Sequence, residues 1–312
     1  MKNQRLRVFA PATVANLGPG FDVLGLALST PGDVVEAELC DTQGIEIVSI
    51  TGDGGLLTRD TEKNVVSRAA ADVLRRAGSR RGLRLWLHKQ MPLASGLGSS
   101  GASSAAGAVA ANELLGRPLG QHDVVLSAME GERAATGSPH ADNVAPSVMG
   151  GIALVRSYDP FDIVRLPVPE QLRIAVVHPH CQVSTAVARR LVKEQAFGLD
   201  VIVSNTGNVA ALIAALCTGN LALLGRSIDD RIIEPLRATL IPGFAEVKAA
   251  ALGAGALGCS IAGSGPSVFA FADADTSAER IGHAMQAAFA QSAHLESDLF
   301  YGHVSSEGAR VI

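Results

Sequence analysis

The sequence predicts a mixed α/β (α+β) protein of two domains, and three observations lead to this prediction. The chain has 312 residues, whereas a typical domain has roughly 100–200. Apolar residues make up 47% and charged residues 18%, a composition that supports a sizeable core. The hydrophobic period alternates along the chain between two, typical of strands, and 3.6, typical of helices. We expect domains at 1–160 and 161–312, because segment 157–171 carries three prolines in a short stretch.

In the first of these domains, alternating apolar and polar residues predict strands at 5–15, 34–39, 45–50, 83–89 and 150–155. Apolar residues at helical spacing predict helices at 64–78, 103–115 and 122–136. Asn64 is a plausible N-cap of the first helix, and Gly78 is a plausible stop. The amino-terminal half is therefore expected to combine a sheet with helices.

In the second domain, the same criteria predict strands at 172–178, 257–263 and 267–273. Helices are predicted at 184–192, at 244–255, at 277–290 and twice between 204 and 228. The last strands flank a short glycine turn, which is typical of an antiparallel hairpin. A second α+β layer is expected here.

Charge and composition argue against several classes of partner. The net charge is −4 without a long basic run, so neither nucleic acid nor an anionic membrane is an expected partner. The amino terminus has no apolar segment before Pro11, and no uninterrupted apolar stretch reaches about 18 residues, so we expect neither a signal peptide nor a membrane span. Four well-separated cysteines suggest reduced thiols and a cytoplasmic location. The cluster at 178–181 lacks a second ligand cluster, so no zinc site is expected.

The glycine-serine segment 91–116 is the main functional signal. Gly96, Gly98 and Gly101 satisfy G-x-G-x-x-G between a predicted strand and a predicted helix, an arrangement suited to binding an anion. A Walker-type loop is excluded because no Gly-Lys pair is present. A dinucleotide-binding turn needs an acidic residue ending a second strand about 20 residues later, where this sequence is helix-like. Two interpretations of the segment stay open. It is either a phosphate site that uses the hydroxyls of Ser99 and Ser100, or a flexible loop.

The same loop carries a resemblance to a known family. Residues 92–103, PLASGLGSSGAS, resemble the phosphate loop of the GHMP kinases, named for galactokinase, homoserine kinase, mevalonate kinase and phosphomevalonate kinase. Segments 8–28 and 261–271 resemble the first and last motifs of that family. The resemblance implies an amino-terminal ribosomal-protein-S5-domain-2-like domain, a carboxy-terminal ferredoxin-like domain and an active site in the cleft between them.

The resemblance also implies an ATP-dependent kinase that acts on an alcohol. It assigns the ATP phosphates to the loop residues Pro92, Leu93, Ala94, Ser95, Gly96, Leu97, Gly98, Ser99, Ser100, Gly101 and Ala102. Ser100 and Glu132 would bind Mg²⁺, which prefers hard oxygen ligands. Asn64 would approach the adenine or simply cap its helix. Asp142 aligns with the catalytic base of some relatives, although correct positioning of the alcohol can suffice without a strong base.

Segments 139–151 and 232–244 also resemble family segments. This resemblance implies L-homoserine as the alcohol that accepts the phosphoryl group, on the route to threonine. Its carboxylate suits arginine, and the family positions select Arg189, rather than the neighbouring Arg190, and Arg237. Its ammonium and hydroxyl groups would meet Asn16 and Asp22. The resemblance also implicates His140 and Asn143 in substrate binding. A homodimer is expected by analogy. The alternatives are a mevalonate-type kinase, an NAD-dependent oxidoreductase and a non-catalytic metabolite sensor.

Overall fold

The computed structural model describes residues 5–273 and 277–312, so part of the amino-terminal stretch considered for a signal peptide lies outside the described residues. The strands are β1 (Arg5–Ala15), β2 (Leu24–Cys40), β3 (Ile45–Thr51), β4 (Gly82–His88), β5 (Ile152–Tyr158), β6 (Phe161–Leu166), β7 (Arg173–Pro179), β8 (Gly258–Ile261), β9 (Val268–Ala272), β10 (Ser297–His303) and β11 (Arg310–Val311). The helices are α1 (Val65–Arg76), α2 (Ser99–Leu114), α3 (Gln121–Thr136), α4 (Ala141–Met149), α5 (Thr185–Lys193), α6 (Leu199–Thr218), α7 (Leu221–Ser227), α8 (Glu234–Arg237), α9 (Phe244–Gly253) and α10 (Ala278–Ala293).

The larger sheet is organised around β2. Within the described residues it has seven strands in the order β11-β1-β2-β4-β3, with β5 paired to β2 and β6 paired to β5. The 17 residues of β2 pair with β5 near their start, with β4 near their end and with β1 over both parts. Among the strand pairs of the described residues in this sheet, β3–β4 alone is parallel, since α1 connects these two strands. The sheet is therefore mainly antiparallel, unlike the parallel sheet that a dinucleotide-binding turn requires.

Helix α2 lies at the centre of the helical layer that covers this sheet. It packs against α1, α3 and α4 as well as against β1 and β2. Its alanines are buried on every side, which explains its lack of an amphipathic pattern. A Cβ at Gly107 would lie 2.7 Å from the carbonyl oxygen of Val66, so glycine is needed for the close contact with α1. Because α2 is buried on every side, its position is fixed, and so is the position of the phosphate loop that leads into its amino terminus.

The second sheet has the strand order β10-β7-β9-β8, and its neighbouring strands are antiparallel. Numbered within this half of the chain, that order is 4-1-3-2, the order of a ferredoxin-like sheet. Helices α9 and α10 pack against each other, and α10 packs on β7 and β9. The prediction of a mixed α/β protein with two layers is confirmed.

The chain passes from the larger to the smaller sheet at residues 167–172. The division expected at 160/161 falls in the turn of the β5–β6 hairpin, and both strands belong to the larger sheet. The prolines of this segment therefore lie on both sides of the six-residue strand β6: in the turn before it and in the connection between the two sheets after it. The final strand, β11, then returns to pair with β1.

Three site elements differ from the sequence prediction, and one of them is the short helix α8, which carries Arg237 and was not predicted. Helix α2 begins at Ser99 and not at residue 103, so Ser99 and Ser100 lie in its first turn. Helix α4 was not predicted because it contains Pro146, which has no N–H to bond the carbonyl of Asp142. That carbonyl packs against Gly25, where a Cβ would lie 1.7 Å from its oxygen. Strands β6, β10 and β11 and the first half of β2 were also missed.

Among the described helices, α6 is long and apolar enough to span a membrane by length and composition alone. Its most apolar segment has a mean hydropathy of 1.6, and 22% of that segment is buried. Core helices of proteins without a membrane span can pass the same test. One face of α6 packs on the protein, since Asn205 and Asn208 donate hydrogen bonds to the carbonyl oxygens of Pro19 and Asp229.

Candidate active site

A cleft of about 340 Å³ lies where the phosphate loop and α2 meet α5, α8 and the turn at 263–266. Most of the predicted site residues line it: Asn16, Asp22, Asn64, Leu93, Ala94, Ser95, Gly96, Gly98, Ser99, Ser100, Glu132, His140, Asp142, Asn143, Arg189 and Arg237. Pro92, Leu97, Gly101 and Ala102 are not among its lining residues, and Leu97 and Ala102 are fully buried. The structure thus brings together residues from both halves of the chain.

The phosphate loop adopts a backbone conformation suited to anion binding. Ala94, Gly96 and Gly98 have positive φ angles of 53°, 81° and 65°. Gly98 is the N-cap of α2, so the unpaired N–H groups of the first helical turn adjoin the cleft. Those groups and the positive end of the helix dipole favour a polyanion at this position.

The turn at 263–266 and the residue that follows it support the loop from behind. Ser267 donates hydrogen bonds from its backbone N–H and its hydroxyl to the carbonyl oxygen of Ser95, at 3.2 and 2.7 Å. A Cβ at Gly96 would lie 2.6 Å from the carbonyl oxygen of Ala262. The loop and the turn therefore form one packed unit, which requires glycine at position 96.

A buried charged cluster beneath the loop was missed by the sequence analysis. The ammonium group of Lys89 pairs with the carboxylate of Asp33 and donates hydrogen bonds to Ser99 Oγ at 2.6 Å and Ser103 Oγ at 2.9 Å. Burial lowers the pKa of Lys89, while Asp33 opposes that effect. The hydroxyl of Ser99 is thus engaged with the cluster, whereas Ser100 lines the cleft half-buried. The only sequence signal was a lysine ending a predicted strand just before the loop.

The candidate Mg²⁺ ligands Ser100 and Glu132 both line the cleft, and Glu132 is 2% exposed. His140 Nδ1 lies 3.4 Å from Glu132 Oε2, so the histidine orients this carboxylate. A hydroxyl and a carboxylate beside a phosphate loop fit Mg²⁺, which takes few protein ligands together with phosphates and water. Among the described residues no three His, Cys, Asp or Glu side chains form a metal-binding group. The donor set thus suits a cation shared with a nucleotide.

Asp142 lies in the first turn of α4 and is 2% exposed. Its Oδ1 atom has no hydrogen-bond partner in the part of the chain that the structure describes. Burial raises the pKa of Asp142 to about 7, and the negative charge of Asp22 adds to this effect, while His140 and Arg189 oppose it. Asp142 can therefore exchange a proton near neutral pH.

The acceptor end of the cleft holds charges of both signs. Arg189 Nη2 donates to both carboxylate oxygens of Asp22, at 2.9 Å each. The Arg237 guanidinium donates to the carbonyl oxygen of Gly263 at 2.7 Å and lies 4.9 Å from the centre of the Phe21 ring. Burial lowers the pKa of Arg237. These two cations and one carboxylate surround the same end of the cleft.

Two asparagines of the site hold neighbouring segments by hydrogen bonds. Asn16 accepts a hydrogen bond from the Asp22 N–H at 3.1 Å and donates to the carbonyl oxygen of Gly263 at 2.9 Å. Asn143 Oδ1 accepts a hydrogen bond from the hydroxyl of Thr13 at 2.8 Å. Asn16 thereby links the loop before β2 to the turn behind the phosphate loop.

At the far end of the cleft, Asn64 acts as the predicted N-cap. Its Oδ1 accepts from the Val66 N–H at 3.0 Å and its side-chain nitrogen donates to the carbonyl oxygen of Thr58 at 2.7 Å. Gly263 and Ser264 also line the cleft and belong to segment 261–271, which resembles the last family motif. Sequence reasoning did not identify five further lining residues: Leu57, Thr58, Lys63, Val65 and Thr185. They lie in loops or at helix ends that carry no motif in the sequence.

Comparison with protein families gives two matches. Residues 64–151 match the family described as GHMP kinases N terminal domain. Residues 212–291 match the family described as GHMP kinases C terminal. The first match contains the phosphate loop, and the second contains Arg237 and the turn at 263–266.

Curated relatives share similarity over nearly the full chain. The homoserine kinase of Chlorobium phaeobacteroides (strain BS1) is 48% identical over 97% of this chain and 98% of its own length. The homoserine kinase of Pyrococcus abyssi (strain GE5 / Orsay) is 42% identical over 91% of this chain and 92% of its own. That of Arabidopsis thaliana is 41% identical over 98% of this chain and 84% of its own.

Solved structures agree with this similarity. The crystal structure of homoserine kinase from Cytophaga hutchinsonii has a TM-score of 0.96 and 49% sequence identity, covering 100% of this chain and 98% of the other. L. major mevalonate kinase in complex with R-mevalonate has a TM-score of 0.73 at 20% identity, covering 96% of each chain. The likeness to the mevalonate kinase concerns the fold alone.

Proposed function

The chain belongs to the GHMP kinase family, and we propose that it transfers the γ-phosphoryl group of ATP to the side-chain hydroxyl of L-homoserine. The products are O-phosphohomoserine and ADP, and the step belongs to threonine biosynthesis. The curated relatives that support this activity are similar over nearly the whole chain. The enzyme is an ATP-dependent phosphotransferase with an alcohol as acceptor.

The observation that carries the choice of substrate is the arrangement of charge around Phe21. Arg189 and Arg237 provide two cations, and Asp22 provides a carboxylate bonded to Arg189. An amino acid is a zwitterion, so its carboxylate suits the guanidinium groups and its ammonium suits Asp22. Mevalonate has no amine and would leave Asp22 without a matching cation on the substrate.

The other end of the cleft suits the nucleotide. In the proposal, the phosphate loop and the amino terminus of α2 bind the ATP phosphates through backbone N–H groups. Ser100 and Glu132 would hold Mg²⁺. When bound, this ion neutralises part of the charge on the phosphates. Asn64 and its neighbours would then lie near the adenine.

The transfer is an in-line displacement that depends on positioning and charge neutralisation. The homoserine hydroxyl oxygen forms a bond to the γ-phosphorus, and the bond from that phosphorus to the bridging oxygen of ADP breaks. The hydroxyl proton passes to Asp142 or to a phosphoryl oxygen. A pKa near 7 suits Asp142 to accept it. His140 and Asn143 line the same region and would orient the alcohol.

A coupled assay of ADP release over homoserine, mevalonate, galactose, shikimate and threonine tests the proposal. We expect rapid turnover with homoserine and background rates with the other four compounds. Preferred turnover of mevalonate or galactose would reassign the substrate. The absence of ADP release with every compound, together with binding of NAD(H) in a titration, would instead support an oxidoreductase.

We also propose a cytoplasmic location and a homodimeric assembly without nucleic-acid or membrane partners. Light scattering coupled to size-exclusion chromatography measures the mass of the assembly directly. A mass near 32.1 kDa, that of one chain, would contradict the dimer.

A further inference from the structure

The loop that presents Asp22 has a conformation that needs support. Asn16, Leu17 and Asp22 have positive φ angles of 73°, 51° and 59°. Side chains other than glycine adopt this left-handed region rarely, and they stay there only when neighbouring groups hold them. The groups that hold Asp22 therefore determine where its carboxylate lies in the acceptor site.

Asp22 is held at its amide, its carboxylate and its carbonyl. Its N–H donates to Asn16 Oδ1 and its carboxylate receives Arg189, both within the site described above. Its carbonyl oxygen accepts a hydrogen bond of 3.0 Å from the hydroxyl of Tyr158. This third contact comes from outside the segments that resemble the family motifs.

The β5–β6 hairpin delivers Tyr158 to this position. Strand β5 pairs with the start of β2, where Leu154 lies opposite Leu24. Tyr158 is the last residue of β5 and lies opposite Phe161, with the two ring centres 6.4 Å apart. The hairpin thus carries the tyrosine across the loop that precedes β2.

The charges of two carboxylates of the site act on the hydroxyl of Tyr158. Tyr158 is 40% exposed, and the partial burial of its side chain raises the pKa of its hydroxyl; the charges of Asp142 and Asp22 raise this pKa further. The side chain therefore keeps its O–H proton and remains a hydrogen-bond donor to Asp22 at physiological pH.

We propose that Tyr158 is a positioning residue that sets the affinity for the acceptor by linking the Asp22 loop to the β5–β6 hairpin. The inference rests on the proposed function, because it assigns Asp22 to the substrate ammonium. Tyr158 does not touch the reacting atoms itself. It acts through the placement of Asp22, so it affects the acceptor and not the nucleotide.

Tyr158→Phe tests the proposal because it removes the hydroxyl and keeps the ring. We expect the KM for homoserine to rise about threefold to tenfold, the effect of losing one hydrogen bond. The KM for ATP and kcat should change less than about twofold. Tyr301→Phe is the matched control, since Tyr301 is the other tyrosine of the chain and lies half exposed on β10. It should leave all three constants unchanged.

A double-mutant cycle with Asp22→Asn separates positioning from general stability. If Tyr158 acts through the Asp22 carboxylate, Tyr158→Phe should have little further effect on the homoserine KM in the Asp22→Asn background. An equal effect in both backgrounds overturns the proposal. So does an equal rise in the KM for ATP, or a lower melting temperature with an unchanged homoserine KM. Failure of the wild-type enzyme to phosphorylate homoserine would reject the proposed function instead.

Discussion

Lys89 and Asp33 form an ion pair directly beneath the first turn of α2, with side chains that are 1% and 0% exposed. They are 56 positions apart in the sequence. Ser103 also donates a hydrogen bond to Asp33, at 2.7 Å, so the pair anchors the helix that carries the phosphate loop. The cluster stabilises the position of the loop as well as the core beneath it.

Asp33→Asn should destabilise the protein by about 3–5 kcal/mol, because it leaves the buried charge of Lys89 without a partner. Urea denaturation measures this loss. Glu113→Gln is the control, since it breaks the pair with Arg117, whose side chain is 72% exposed, and should cost about 0.5 kcal/mol or less. The double variant Asp33→Asn, Lys89→Met should recover part of the loss. Equal losses for Asp33→Asn and Glu113→Gln would contradict a structural role for the buried pair.

Glu132→Gln should lower kcat strongly while the protein stays folded, because the substitution removes one negative charge from the Mg²⁺ site. Steady-state kinetics over a range of Mg²⁺ concentrations test this expectation. Glu130→Gln is the matched control on the same helix, since Glu130 pairs with Arg133 and does not line the cleft. Turnover like that of the wild type at saturating Mg²⁺ would remove Glu132 from the metal site.

Arg237→Lys should raise the KM for homoserine about tenfold, because an ammonium group cannot form the two parallel hydrogen bonds of a guanidinium. Initial rates at varied homoserine and saturating ATP measure the change. Arg190→Lys is the control, since Arg190 is exposed on α5 beside Arg189. An unchanged KM for Arg237→Lys would place the carboxylate contact elsewhere in the cleft.

Gly96→Ala should raise the KM for ATP at least about tenfold. Its Cβ would lie 2.6 Å from the carbonyl oxygen of Ala262, so the phosphate loop must shift. Gly116→Ala is a close control, because Gly116 has the same φ of 81° with no atom within 4 Å of the added Cβ. That control should lose about 1 kcal/mol of stability from backbone strain and keep its KM for ATP. Similar KM values in the two variants would argue against a role for loop packing in nucleotide binding.

The pKa of Asp142, about 7 in the folded protein, is higher than its usual value of 3.8. The folded state therefore favours the protonated form, and this contribution to stability is complete below pH 4 and lost as pH rises through 7. The loss amounts to about 4 kcal/mol, since each pH unit between the two pKa values contributes about 1.4 kcal/mol.

Asp142→Asn should remove this dependence, so its stability relative to the wild type should increase between pH 5 and pH 8. Free energies of unfolding at the two pH values measure the difference. Asp41→Asn, at a side chain that is 99% exposed, should show no such increase. A pH-independent difference for Asp142→Asn would contradict the raised pKa.

The sequence predicted the elements whose pattern is regular. Period-two alternation located β4, and helical spacing with an N-cap at Asn64 located α1. The phosphate loop was identifiable because its glycines and serines lie next to one another in the chain. Helix α4 and strand β6 were missed because Pro146 and the prolines around β6 indicate chain breaks when only neighbouring residues are considered.

In the candidate site, too, the sequence indicated single residues but not the contacts between residues that are far apart in the chain. Residue types and motif positions singled out Arg189 and Asp22, but only the packing of the two layers brings together these residues, which are 167 positions apart. The same holds for Tyr158 and Asp22, at 136 positions, and for the Lys89–Asp33 pair.

By itself, the sequence determined the fold class, the phosphate loop and the chemical types of the site residues, because periodicity and short motifs depend on residues close together in the chain. The tertiary structure decided which charges meet, which carboxylate has a raised pKa and which side chains hold the strained loop. Those properties depend on burial and on distances between remote segments, and a linear pattern contains neither.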